Sequence, residues 1–175
     1  MRNTIMAALL LLVCGCNKGT DQNSDSAQRE RIMSYTGGLT TPVRENDGVF
    51  ITRLNRSAAD PSRLRVTNGD SLWVFYAMYT FNSSPDSLFV TNIPSVAEED
   101  GFDMKYVETG PLGIRYGHTD LIKGFAMGLE DAQEGDSLMM FVPSRLAYGN
   151  KSAGVVEKFT TIAIFAEIKR ILKND

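Results

Sequence analysis

The chain has 175 residues, 43% of them hydrophobic, with 18 Lys+Arg against 21 Asp+Glu and a net charge of −3. One domain with a core of ordinary size is expected, and the absence of any Lys/Arg cluster argues against a nucleic-acid partner. Cys14 and Cys16 sit at the extreme N-terminus and His118 is the single histidine, so neither a disulfide framework in the folded part nor a metal site is expected, and no cofactor is implied.

The N-terminus reads as a targeting segment. Met1-Arg2 gives a positive start, and residues 5–14 form an apolar run too short to span a bilayer. Val13-Cys14-Gly15-Cys16 resembles a bacterial lipobox, with small Gly15 just before the cysteine. Cys16 fits the acylated position better than Cys14, which follows bulky Val13. An ordinary cleaved signal peptide is the alternative. The expected division is a signal peptide over 1–15, a tether and N-terminal extension over 16–46, and a folded domain over 47–175. Lipidation of Cys16 would place the chain in the cell envelope, anchored to a bacterial membrane, because each buried acyl CH2 contributes about 0.8 kcal/mol.

Residues 17–27 are polar and expected to be flexible. Residues 28–33 suit a short helix, which Gly37-Gly38 stops. A first strand is expected over 49–54, then a polar connection with the turn signal Asp60-Pro61. Gly69-Asp70-Ser71 leads into a long strand over 72–81, rich in aromatic and β-branched residues. A loop with Pro85 precedes a short strand over 87–91. Residues 93–109 carry Pro94 and the acidic Glu98, Glu99, Asp100 and Asp103, and suit an insertion or flap.

Further on, Leu121, Phe125 and Leu129 recur at helical spacing with Ile122 beside them, and Thr119 or Asp120 is available as a cap. Gly124 and Gly128 would let a backbone approach closely, most plausibly a sheet. Glu134-Gly135-Asp136 marks a turn, a strand and second turn follow, and a last strand is expected over 159–171 with Ile162, Ile164, Ala166 and Ile168 on one face. Several antiparallel strands with one short amphipathic helix make an α+β domain. If Val74, Tyr76, Leu138, Met140, Ile162 and Ile164 face the helix, then Trp73, Phe75, Met139, Phe141 and Phe165 point outward. So apolar an outer face is expected to be covered, by Ile32, Met33 and Tyr35 of the extension or by a partner protein.

The ordered set Leu121-Ile122-Lys123-Gly124-Phe125, Gly128, Gly135-Asp136, Val142-Pro143 and Leu146-Ala147-Tyr148-Gly149 resembles the C-terminal half of FK506-binding-protein (FKBP)-type peptidyl-prolyl isomerases. Val74-Phe75-Tyr76, Ser87-Leu88-Phe89 and residues 111–117 extend the likeness over about residues 48–172. It implies a curved antiparallel sheet wrapped around the helix, with a shallow apolar pocket between them, acting on proline-containing polypeptides. By that likeness Tyr76, Phe89, Phe125 and Tyr148 are the catalytic set. Leu112, Leu121, Ile122, Val156 and Ile164 line the substrate, and the Ile122 N–H holds a substrate carbonyl. From composition alone, each apolar member reads equally well as plain core.

The departures from the family pattern are Val90 in place of an aspartate, Val156-Glu157-Lys158 in place of a proline-rich segment, and Leu112 and Ile164 in place of aromatic walls. They imply weak isomerase activity and weak binding of FK506-like macrolides. A non-catalytic module that binds a peptide or protein is the alternative that Val90 favours.

Overall fold

The computed structural model describes residues 23–55 and 59–174. The expected signal peptide, the expected lipobox and Cys16 lie outside them. Strands β1 (Val43–Asn46), β2 (Val49–Arg53), β3 (Ser71–Phe81), β4 (Pro85–Thr91), β5 (Leu112–Arg115), β6 (Ser137–Val142) and β7 (Thr161–Leu172) form one antiparallel sheet. Its order is β1-β2-β6-β7-β3-β4, with β5 also paired to β3. Helices α1 (Asp25–Thr36), α2 (Pro94–Glu99) and α3 (Lys123–Leu129) are short. The expected α+β class and curved-sheet architecture hold.

The centre of the sheet follows from alternation. β3 and β7 pair along their length, and on their inner face Leu72, Val74, Met78, Ile162, Ile164, Ala166 and Ile168 are all buried. They close on Phe125 and Leu129 of α3. Helix α3 packs on β2 and β6, and its two glycines make this possible. A Cβ at Gly124 would run into Val142, and one at Gly128 into Met140. Val142 is β-branched and stiff, whereas Met140 is flexible. Gly124→Ala is therefore expected to cost about 1–3 kcal/mol through overpacking, and Gly128→Ala less. Chemical denaturation of the two variants checks this, and a Gly124→Ala variant as stable as the parent would contradict it.

The start of α3 differs from expectation. Neither Thr119 nor Asp120 caps it. Ile122 is the N-cap residue, with no side-chain hydrogen bond. The Thr119 hydroxyl instead accepts from the Arg115 N–H at 2.9 Å, closing the turn after β5. Leu121 and Ile122 are thus left extended and half-buried against the core. The flap segment holds α2 and a single 3-10 turn, Met104–Tyr106.

A boundary at 46/47 would cut the β1–β2 hairpin, in which Asn46 pairs with Val49 and Val43 with Thr52. Residues 24–46 therefore pack with the domain. Ser24 caps α1 by accepting from the Ala27 N–H. Ile32 is buried among Phe50, Phe81, Phe141 and Ala163 on the outer sheet face. Tyr35 stands edge-on to Phe81 and Phe141, at 5.5 and 5.3 Å between centroids. Ile32 and Tyr35 cover this end of the face as expected, but Met33 is 50% exposed and takes no part in the cover. At the other end Trp73, Phe75 and Phe165 share the same face, half-buried. There Arg170 lies over the Trp73 ring at 5.4 Å and Lys169 over Phe75 at 5.9 Å.

Candidate active site

The site forms where one edge of β3 is divided between two strands. β5 pairs with β3 only as far as Val74, and β4 takes over from Ala77. Phe75 and Tyr76 are left without a strand partner on that edge. Asn92 fills the gap. Its Oδ1 accepts from the Tyr76 N–H at 2.7 Å, and its Nδ2 donates to the carbonyls of Val74 at 3.0 Å and Gly110 at 2.9 Å. The Thr91 hydroxyl donates to the Tyr76 carbonyl at 2.8 Å. A buried side-chain amide thus stands in for a stretch of strand, holding Tyr76 in place and tying it to the end of the flap.

The other members arrive from five parts of the chain. Phe89 comes from β4, Leu112 from β5, and Phe125 from α3 beneath Leu121 and Ile122. Tyr148 and Val156 belong to the long loop between β6 and β7, and Ile164 to β7 itself. All nine expected residues belong to the main hydrophobic core of the domain, and of them Tyr76 and Leu112 border the cavity on the Tyr76 flank. Phe125, Val156 and Ile164 are buried and back the floor, whereas Tyr76, Phe89, Leu112, Leu121, Ile122 and Tyr148 are partly exposed around it. The Tyr76 and Phe125 rings lie 6.0 Å apart, and Phe89 meets Tyr148 edge-on at 6.2 Å.

A cavity of about 490 Å³ opens on the Tyr76 flank, bounded by Val90, Asn92, Tyr106, Glu108 and Leu112. Tyr106, 76% exposed, forms its outer lip. A larger groove of about 780 Å³ lies between α1 and the β1–β2 turn. That groove is lined by the ion pairs of Arg29 with Glu45 at 2.9 Å and Arg145 with Asp25 at 3.2 Å, together with Asp47 and Lys123, and none of the nine residues borders it.

The polar character of the site is spare. No described residue accepts a hydrogen bond from the Tyr76 or Tyr148 hydroxyl, or from the Ile122 N–H. Burial pushes the Tyr76 hydroxyl above its ordinary pKa, and the Glu108 carboxylate and Tyr148 push it further. Burial alone raises Tyr148. Both hydroxyls therefore stay protonated and available as donors. Val90, on the same cavity, presents no acceptor. Sequence reasoning misses both Asn92, a single asparagine after a strand, and Glu108, one acid among several in the flap segment.

Comparisons with known proteins fit this geometry. Residues 83–166, from just before β4 into β7, match the model of the family described as FKBP-type peptidyl-prolyl cis-trans isomerase. The match covers just under half of the chain. Eight of the nine site residues fall inside the matched range, and Tyr76 lies before it. FK506-binding protein 2 of Debaryomyces hansenii is 32% identical over 72 residues, covering 40% of this chain. The match spans 53% of that relative, about half its length. Among solved structures, the peptidyl-prolyl cis-trans isomerase of Pseudomonas syringae pv. tomato superposes with a TM-score of 0.58 at 20% identity, over 89% of this chain and 100% of that one. FkpA of Escherichia coli gives 0.57 at 16% identity, over 84% and 59%. At these identities the likeness is one of fold, and it takes in the N-terminal part that the family model leaves out.

Proposed function

We propose that this FKBP-type domain is a peptidyl-prolyl cis-trans isomerase that helps exported polypeptides fold. One observation carries the reading: an apolar floor is ringed by hydrogen-bond donors that nothing else in the described structure uses. An X–Pro bond turns over a barrier of about 18–20 kcal/mol, on a timescale of tens of seconds. The planar amide owes its stiffness and much of its dipole to resonance, and the twisted amide has lost both. An apolar surface backed by Phe125, where water is displaced by the bound peptide, would therefore favour the twisted form relative to the planar one. The Ile122 N–H holds a flanking substrate carbonyl, and the Tyr148 hydroxyl donates to another. Catalysis is then differential binding of the twisted state, with no nucleophile or general base. A protease-coupled assay of proline isomerisation tests the activity, and a rate equal to the uncatalysed one would refute it.

The pH dependence follows from the same groups. The two tyrosine hydroxyls have pKa values raised above the ordinary value of about 10, so both remain donors well beyond neutrality. The rate constant should be flat from about pH 6 to pH 9 and fall only above the raised tyrosine values. A bell-shaped profile centred near neutrality would instead indicate a general acid or base.

We further propose that Cys16 is acylated and anchors the protein to a membrane of the cell envelope. The short apolar leader and Gly15-Cys16 support this. Mass spectrometry of protein from a lipoprotein-processing host should find a diacylglyceryl-modified N-terminal Cys16. An unmodified amine at residue 16 or later would rule it out. A peptide-binding module without catalysis is the second reading, and the observation favouring it is the apolar Val90 beside Tyr76.

A further inference from the structure

We propose that Gln28 of α1 is a positioning residue for this site, acting as a clasp on the loop that carries Tyr148 and Val156. The inference rests on the isomerase reading above. Gln28 lies outside the matched family segment, in the part of the chain that reads from sequence as a tether and extension. Its side chain is 0% exposed. Its Oε1 accepts from the Ser144 N–H at 2.8 Å and from the Thr161 hydroxyl at 3.0 Å. Its Nε2 donates to Ser144 Oγ at 2.9 Å and to the Asn23 carbonyl at 2.8 Å, with the Phe159 carbonyl a longer partner at 3.4 Å. The orientation of the amide is fixed by these partners, because a backbone N–H can only donate and a carbonyl can only accept.

Apart from Asn23, just before α1, those partners are the two stems of one loop. Ser144 opens it and Phe159 closes it. Within the loop the Ser144 carbonyl accepts from the N–H groups of Ala147 at 2.9 Å and Gly149 at 2.7 Å, and the Gly149 carbonyl accepts from the Phe159 N–H at 2.7 Å. Gln28 to Ser144, Ser144 to Gly149, Gly149 to Phe159 and Phe159 back to Gln28 make a closed ring of hydrogen bonds. Tyr148 sits on that ring, between two anchored residues. Phe159 holds a φ of 60°, a conformation that costs a non-glycine residue energy and persists only when its surroundings impose it. An α1 needed only as a lid over the sheet would use apolar residues here, as it does at Ile32. A buried amide is costly unless every polar group is paired, and its distinctive product is a fixed geometry.

The test compares two variants of the purified protein at a temperature where circular dichroism shows both fully folded. Gln28→Leu removes the clasp at similar volume. Ile32→Ala weakens the seat of α1 without touching the loop. Gln28→Leu should lower kcat/KM about tenfold or more, the scale of a small misplacement of a binding group, and should shift the NMR signals of the Tyr148 ring and the Gly149 amide. Ile32→Ala should lower the melting temperature and leave rate and signals as in the parent. If Gln28→Leu melts earlier yet keeps the parental kcat/KM and Tyr148 and Gly149 signals, Gln28 is only structural and the proposal is overturned. Should Gln28→Leu fail to fold, Gln28→Glu keeps the acceptor for Ser144 and Thr161 and loses the donors. It is then expected to shift the same signals and lower the rate, and parental values overturn the proposal equally. If the parent protein itself does not isomerise, the functional reading fails separately, and the NMR shifts alone decide the role of Gln28.

Discussion

Val90→Asp should raise the isomerisation rate of this domain. Val90 lies on the cavity flanked by Tyr76, whose hydroxyl has no acceptor among the described residues. Tyr76 is half-buried and its hydroxyl reaches solvent, so what it lacks is an ordered acceptor, and a hydrogen bond to a charged group is worth about 1.5–3 kcal/mol. If that bond is made in the transition state, the gain is about 10- to 150-fold, since 1.4 kcal/mol is tenfold. The carboxylate introduced at residue 90 restores an acceptor and orients Tyr76. Glu108 does not already fill this role. Its carboxylate is close enough to raise the Tyr76 hydroxyl pKa, but it is solvent-exposed and makes no hydrogen bond to the ring oxygen. It does set a limit on the gain, because a second carboxylate beside it meets like charge. Val90→Asp combined with Glu108→Gln should therefore exceed Val90→Asp alone. A protease-coupled assay on the variants measures both effects. A parent already as fast as a strong isomerase, or a near-zero rate that Val90→Asp leaves unchanged, would refute this account of the site, and the second result would favour the binding module.

Asn92→Ala should be among the most damaging single changes in the domain. It removes the acceptor of the Tyr76 N–H and the donors to the Val74 and Gly110 carbonyls. The Asn92 side chain is buried, so water reaches these groups poorly. At about 1–3 kcal/mol for each buried group left unpaired, a loss of roughly 3 kcal/mol or more is expected. Asn92→Asp keeps the acceptor but sets a carboxylate against two carbonyls, so it should not rescue. Activity should fall further than stability alone explains, because the same bonds fix Tyr76 and the end of the flap. Denaturant titration together with kcat/KM at full folding checks both parts. A variant within about 0.5 kcal/mol of the parent would mean that the strand edge closes without Asn92.

The contrast between these two positions shows what the sequence made legible. Strand alternation placed Ile162, Ile164, Ala166 and Ile168 on the inner face, because burial on one side of a pleat leaves a period of two. The helical spacing of Phe125 and Leu129, and the small residues at 124 and 128, marked α3 and its close approach to the sheet. All nine residues named from the family likeness belong to the main hydrophobic core of the domain. Asn92 and Gln28 were not legible, since each is a single polar residue whose partners come from distant parts of the chain. The β1–β2 hairpin was missed because Val-Arg-Glu-Asn at an edge carries no apolar alternation. Helix α1 extends beyond the expected 28–33. Its buried stripe of Ala27, Gln28, Ile32 and Thr36 contains one large apolar residue, too little for a clear helical period. The expected caps of α3 failed because tertiary contacts draw Leu121 and Ile122 into the site as extended chain.

In the proposed mechanism, Tyr76, Phe125, Ile122 and Tyr148 bind the twisted X–Pro amide better than the planar one. Exchange NMR on a short proline-containing peptide, with and without catalytic amounts of the protein, reads both binding and turnover in one sample. The account predicts cis-trans exchange clearly faster than the uncatalysed process, with peptide-induced shifts at Ile122 and Tyr148. Peptide-induced shifts at those residues with an unchanged exchange rate would contradict it and identify a site that only binds.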